Sequence, residues 1–162
     1  STTVCRSYCD RGPVDSTKLV TAGYWASYWY NGHIIGSEIA RGLDIFELTP
    51  SPYLSQNEID AAKLVTWDQF NPQNQPKIVW PAAFPVVRSY LDQLVRGQGL
   101  ATARTQAIAS DLARAESMSG GKRKSALHEL AEQLDNDAKS AADASRVRAM
   151  ASAVRDLERA TR

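Results

Sequence analysis

One short stretch of this chain gathers most of the residue types that could do acid–base chemistry. His33 is a candidate base, and Glu38, Asp44 and Glu47 supply carboxylates of the kind general acid–base catalysis uses. Such catalysis needs its groups to meet in one pocket, whereas Glu38 and Asp44 flank a tight turn at Arg41-Gly42. The expectation is therefore structural. Glu38 and Arg41 pair or hydrogen-bond around the turn, and His33 sits at the rim of a hairpin. The chain has no Gly-x-Ser-x-Gly elbow, phosphate-binding loop or His-Glu-x-x-His helix. No catalytic residue is assigned.

The aromatic set Tyr24, Trp25, Tyr28, Trp29 and Tyr30 has two readings. It is either a stacking platform for sugars or exposed bases, or cross-strand packing inside a sheet. With His33, Glu38 and Arg41 it forms the candidate binding set. Cys5 and Cys9, the only cysteines, supply two of the ligands a zinc site requires, but neither His33 nor His128 has matching spacing. A disulfide between them in an oxidising compartment and an unconstrained terminal pair both stay open. No metal or cofactor is assigned, and Cys-x-x-Cys-His, which a c-type haem would need, is absent. Lys122-Arg123-Lys124 reads as a solvated helix face, with phosphate contact as the sharper alternative. His128 is expected at the edge of a helix bundle.

These residues need elements to position them. Between Gly23 and Leu48 the chain reads as three strands. Asn31-Gly32 is the strongest two-residue hairpin signal, because both turn positions take positive φ. That turn places Tyr30 opposite His33, Tyr28 opposite Ile35 and Trp25 opposite Glu38. A second turn near Arg41-Gly42 leads into a third strand that ends before Pro50. Such a sheet leaves an apolar face and two edges to be covered, either by the helices or by something larger.

Beyond position 54 the pattern changes. Ser55-Gln-Asn-Glu58 fits a capping box and opens a short helix to about Val65. A Pro/Gln/Asn-rich connector follows, in which Lys77–Trp80 reads as a short extended piece. Pro81 and Pro85 suit a helix start, with Val86, Tyr90, Leu91, Leu94 and Val95 on its apolar face up to Gly97 and Gly99. The next helix is expected from about Leu100 to Ser117, with Ser119-Gly120-Gly121 stopping it. A third carries Leu127, Leu130, Leu134 and Ala138, and a fourth Val147, Met150, Ala151, Val154 and Leu157. The predicted fold class is α+β: an N-terminal antiparallel β-meander, residues 1–54, then a helix and connector, 55–80, then an antiparallel helical bundle, 81–162.

Composition agrees with this division. All four Trp lie at or before Trp80, all seven Pro at or before Pro85, and no aromatic follows Tyr90. The formal net charge is +1, which argues against a nucleic-acid binder driven by bulk charge. No apolar stretch reaches the roughly 20 residues of a transmembrane helix, and no signal-peptide pattern opens the chain. The chain starts at Ser1 rather than Met, which is the expectation for a processed or partial product.

Asp10-Arg-Gly-Pro-Val-Asp15 and Gly23-Tyr-Trp-Ala-Ser-Tyr-Trp-Tyr-Asn-Gly-His-Ile-Ile-Gly-Ser-Glu-Ile-Ala-Arg-Gly-Leu-Asp-Ile-Phe-Glu-Leu48 resemble the end of secreted actinobacterial LVIVD-repeat proteins. In that family each repeat forms a β-propeller blade, and Gly42-Leu-Asp-Ile-Phe-Glu-Leu48 falls at the repeat's strand, departing from it at Asp44 and Phe46. Residues from about Phe84 to Leu157 resemble the helical FIMAH module found on secreted bacterial proteins. The resemblance implies a partial propeller blade at the end of a larger chain, with the upstream blades missing. It implies a non-catalytic, extracellular or cell-envelope interaction protein whose partner is protein or cell-wall polysaccharide. The alternative is the C-terminal accessory region of a secreted carbohydrate-active or other hydrolytic enzyme.

Overall fold

The computed structural model describes residues 13–74 and 77–162. Cys5 and Cys9, and with them the disulfide and zinc readings, lie outside the described residues. The fold is α+β: an antiparallel three-stranded sheet followed by five helices. Strands β1 (Tyr24–Tyr30), β2 (His33–Glu38) and β3 (Gly42–Phe46) lie in sequence order.

Asn31-Gly32 makes the first turn, with φ of 46° and 88°, the two left-handed positions of a primed hairpin turn. Tyr30 pairs with His33 and Tyr28 with Ile35, as the turn chemistry requires. Trp25 does not face Glu38. The register shifts between Tyr24 and Ala26, so Tyr24 takes the place opposite Glu38 and Trp25 becomes the extra residue of a bulge. A bulge is invisible to strict alternation because a strand period of two presumes unbroken pairing.

Helix α1 (Gln56–Lys63) begins with the expected capping box: the Ser55 hydroxyl accepts from the Glu58 N–H, and the Glu58 carboxylate accepts from the Ser55 N–H. A single 3-10 turn spans Pro72–Asn74, and Lys77–Trp80 joins no sheet. Helix α2 (Phe84–Arg96) starts with proline in its first turn, where the missing N–H has no helical partner to lose. Its inward face is Val86, Val87, Ser89, Leu91 and Leu94, so Val95 turns outward instead.

Helix α3 (Thr102–Ser117) is followed almost at once by α4 (Gly120–Asp137), and α5 (Ala144–Ala160) ends the fold. Helix α3 ends at Ser117 as expected, and Gly120-Gly121 then falls in the first turn of the next helix. The corner is made by extended Met118 and Ser119, and Gly120 takes φ of 53°, a left-handed value that costs glycine least. Each of the last four helices packs on the next, and α5 returns to α2, closing a bundle.

The continuous core runs from Val87 to Leu157 and holds Ile108, Leu112, Leu127, Leu130, Leu134, Val147, Met150 and Val154 essentially without exposure. Each large aliphatic buried there contributes roughly 1.5–3 kcal/mol before ordering entropy is subtracted. Ala115, Ala131, Ala138 and Ala151 let the helices approach closely between them. No strand residue enters this core.

Candidate functional site

The sheet's two faces carry different chemistry, because side chains alternate across a strand. Ile34, Gly36 and Glu38 on β2 share one face with Asp44 and Phe46 on β3 and Trp29 on β1. His33, Ile35 and Ser37 share the other with Tyr28, Tyr30, Leu43 and Ile45. His33 and Glu38 therefore point to opposite sides and cannot act on one substrate atom.

On the first face Tyr24 is an anchor. Its ring lies over Gly36, where an added Cβ would meet ring carbon Cε1 at 2.8 Å. The ring packs edge-on to Phe46 with centroids 6.0 Å apart, and its hydroxyl donates to Asp44 Oδ2 at 2.5 Å. Glycine at 36 is what lets one aromatic cross from β1 to β3 at this close approach.

Glu38 is buried and structural. Its carboxylate accepts from the Gly23 N–H at 2.7 Å, the Ala40 N–H at 3.0 Å and the Arg41 N–H. These donors, Gly23's foremost and helped by the Arg41 charge, outweigh the opposing effect of burial and hold its pKa below the usual carboxylate value. The group stays anionic and tied to the turn, which is the hydrogen-bonded arrangement expected of Glu38 and Arg41. It holds no proton to give as a general acid.

His33 sits at the hairpin rim, with Nδ1 3.2 Å from the Asn31 carbonyl and Nε2 3.4 Å from Glu47 Oε1. The aromatic set is divided rather than assembled into one platform. Trp25 projects from the bulge at 82% exposure, Tyr28 is exposed on the His33 face, and Trp29 is half-buried on the other. Tyr30 stacks toward Phe70, and Phe70 lies 5.0 Å from Trp67, ring centre to ring centre.

That last cluster marks a contact the residue types did not announce. Asn31 Oδ1 accepts from the Trp67 N–H at 2.8 Å, and Asn31 Nδ2 donates to the Trp67 carbonyl at 3.0 Å. One carboxamide thus pairs with both backbone groups of one residue, and the Lys63 stem packs on Gly32 beside it. The sheet is fastened to the following segment at its hairpin end, through the Asn31-Gly32 turn and the adjoining Tyr30. An Asn-Gly pair signals the turn but not a partner 36 residues away.

Elsewhere, an open cleft of about 300 Å³ lies between α1, α2 and the start of α5, walled by Trp80, Tyr90, Ser89 and Gln93. Its charges are already engaged. Glu58 holds Arg96 through two bonds, and Arg146 contacts Asp143 and Gln93. Arg123 of the basic triplet is not a solvated charge. It donates to the Ala115 carbonyl at 3.2 Å and the Glu116 carbonyl at 2.9 Å, and it lies over the Phe84 ring. It caps the C-terminal end of α3, where cations are favoured. His128 is exposed on α4, with Nδ1 3.4 Å from Glu158 Oε1.

Among the described residues no cluster of His, Cys, Asp and Glu has the geometry to hold a metal ion, and no helix is long and apolar enough to cross a membrane. The chain matches no protein-family model, no curated protein and no solved structure.

Proposed function

We propose that this chain is a non-catalytic interaction module of a secreted or cell-envelope protein, its sheet being the terminal blade of an LVIVD-type propeller and its helices an accessory bundle. The observation that carries the reading is a set of exposed apolar side chains on the sheet's His33 face. Leu43 and Ile45 on β3 are each 63% exposed, and on the same face Tyr28 of β1, across Ile35 of β2, is 46% exposed. The helical core closes on itself without drawing on that face. Contiguous apolar patches on a free surface mark interaction sites. A propeller blade has four strands and buries its faces between neighbours. Three strands with open edges at β1 and β3 fit a blade that takes its last strand and its neighbour from elsewhere. Further support comes from the occupied state of Glu38 and from the separation of His33 and Glu38 onto opposite faces, which keeps those two groups from acting on one atom.

The test compares the chain with its double variant Leu43→Glu/Ile45→Glu by sedimentation velocity over a range of concentrations, with hydrogen exchange on the strands. The expected result is concentration-dependent association of the natural chain, abolished by the two charges while the helices keep their protection. A monomer at every concentration, with strand amides 24–46 as protected as those of the bundle, would show a finished domain and overturn the reading.

A further inference from the structure

The Asn31-Gly32 turn joins two properties that are independent of the function proposed above. Asparagine followed by glycine is the dipeptide in which the next backbone nitrogen most readily reaches the side-chain carbonyl carbon, because glycine has no side chain in the way. The same Asn31 carboxamide is the clasp that fastens the sheet, bonded through both its polar atoms to Trp67. We propose that Asn31 is a self-modification site: docking of the hairpin turn on Trp67 protects it from deamidation, and deamidation, once it happens, releases the sheet.

The chemistry needs only water and base. The Gly32 nitrogen, having given up its proton to hydroxide, attacks Asn31 Cγ and forms a new N–C bond. The Cγ–Nδ2 bond breaks, and the amide nitrogen leaves as ammonia after taking a proton. The resulting five-membered imide is opened by water, which adds to one carbonyl and breaks a ring C–N bond, leaving aspartate or isoaspartate. Attack requires the carboxamide to rotate toward Gly32, and it must first give up its two bonds to Trp67. The Lys63 stem, packed where a Gly32 Cβ would meet Cγ at 3.2 Å, further restricts this turn. The docked state is therefore slow to react, and the reaction runs through a local opening of the turn.

The product cannot redock as before. The Nδ2–H donor becomes a carboxylate oxygen facing the Trp67 carbonyl, so two acceptors oppose each other at the place of a 3.0 Å bond. Isoaspartate also lengthens the backbone inside a turn that depends on two left-handed residues. The other asparagines, Asn57, Asn71, Asn74 and Asn136, are followed by Glu, Pro, Gln and Asp and serve as internal controls.

The whole chain is incubated at mildly alkaline pH, native and in urea, and the conversion at Asn31 is followed by peptide mass spectrometry. Conversion is expected at least about tenfold slower in the native chain than in urea. The aged product, and separately the variant Asn31→Asp, should lose hydrogen-exchange protection at the Trp67 amide while α2 to α5 keep theirs. Equal rates in the two conditions would overturn the proposal, as would no conversion in either. A fully protected Trp67 amide in the aged protein or in a folded Asn31→Asp variant would overturn it as well.

Discussion

Substituting Glu58 separates two jobs that one carboxylate performs. It closes the capping box of α1 by accepting from the Ser55 N–H at 2.7 Å, and it grips Arg96 of α2 through bonds of 2.8 and 2.9 Å. The Arg96 guanidinium, foremost, and the Ser55 N–H pull its pKa from the ordinary 4.5 down to about 2, against the effect of burial. At about 1.4 kcal/mol per unit the shift bounds the contribution near 3 kcal/mol. Arg96 is 34% exposed, so solvent screening reduces the expectation to about 1–2 kcal/mol.

Glu58→Gln keeps an acceptor for the Ser55 N–H and removes the charge, and should lower Tm by about 2–8 °C in a chain of this size. Glu58→Ala removes both and should cost about 1 kcal/mol more. The folded pKa lies below the unfolded one, so the stabilisation is complete above the unfolded value of 4.5 and is lost as pH falls toward about 2. Urea titrations followed by circular dichroism, run from about pH 7 to about pH 3, measure the gap between natural chain and Gln variant. It should be full at neutral pH and shrink steadily below the unfolded value. A gap that stays constant with pH, or none at neutral pH, would refute the assignment of the α1–α2 junction to this ion pair.

Gly36→Ala should drive the Tyr24 ring off the sheet, since the new Cβ would sit 2.8 Å from Cε1, and break the bond to Asp44. The expected cost is about 1–3 kcal/mol, confined to the strands, and is read as lost hydrogen-exchange protection over 33–46 with an unchanged bundle. Arg123→Ala should destabilise the bundle by about 1 kcal/mol through the lost α3 cap. Lys124→Ala, one residue on and exposed, should change almost nothing in the same thermal melts. Equal effects would return Arg123 to the solvated face.

The sequence determined by itself whatever short-range chemistry decides. Asn31-Gly32 allows little but a primed turn, Ser55 and Glu58 reach each other within one helical turn, and the apolar spacing of Leu127, Leu130 and Leu134 marks a buried stripe. The tertiary structure decided what depends on residues far apart in the chain. Val95 was turned out because the neighbours α2 meets set its inward face, and Gly120-Gly121 became a start because Met118 and Ser119 made the corner. Tyr24 displaced Trp25 opposite Glu38 through a bulge that alternation does not record. The candidate site followed the same rule. The residue types of His33, Glu38 and the aromatics were legible, but whether they meet was not, and the β2 pleat sends His33 and Glu38 apart. Asn31 to Trp67, Glu58 to Arg96 and Tyr24 to Asp44 span 36, 38 and 20 residues. Periodicity describes which face a side chain takes on its own element, whereas its partner is chosen by how the elements pack.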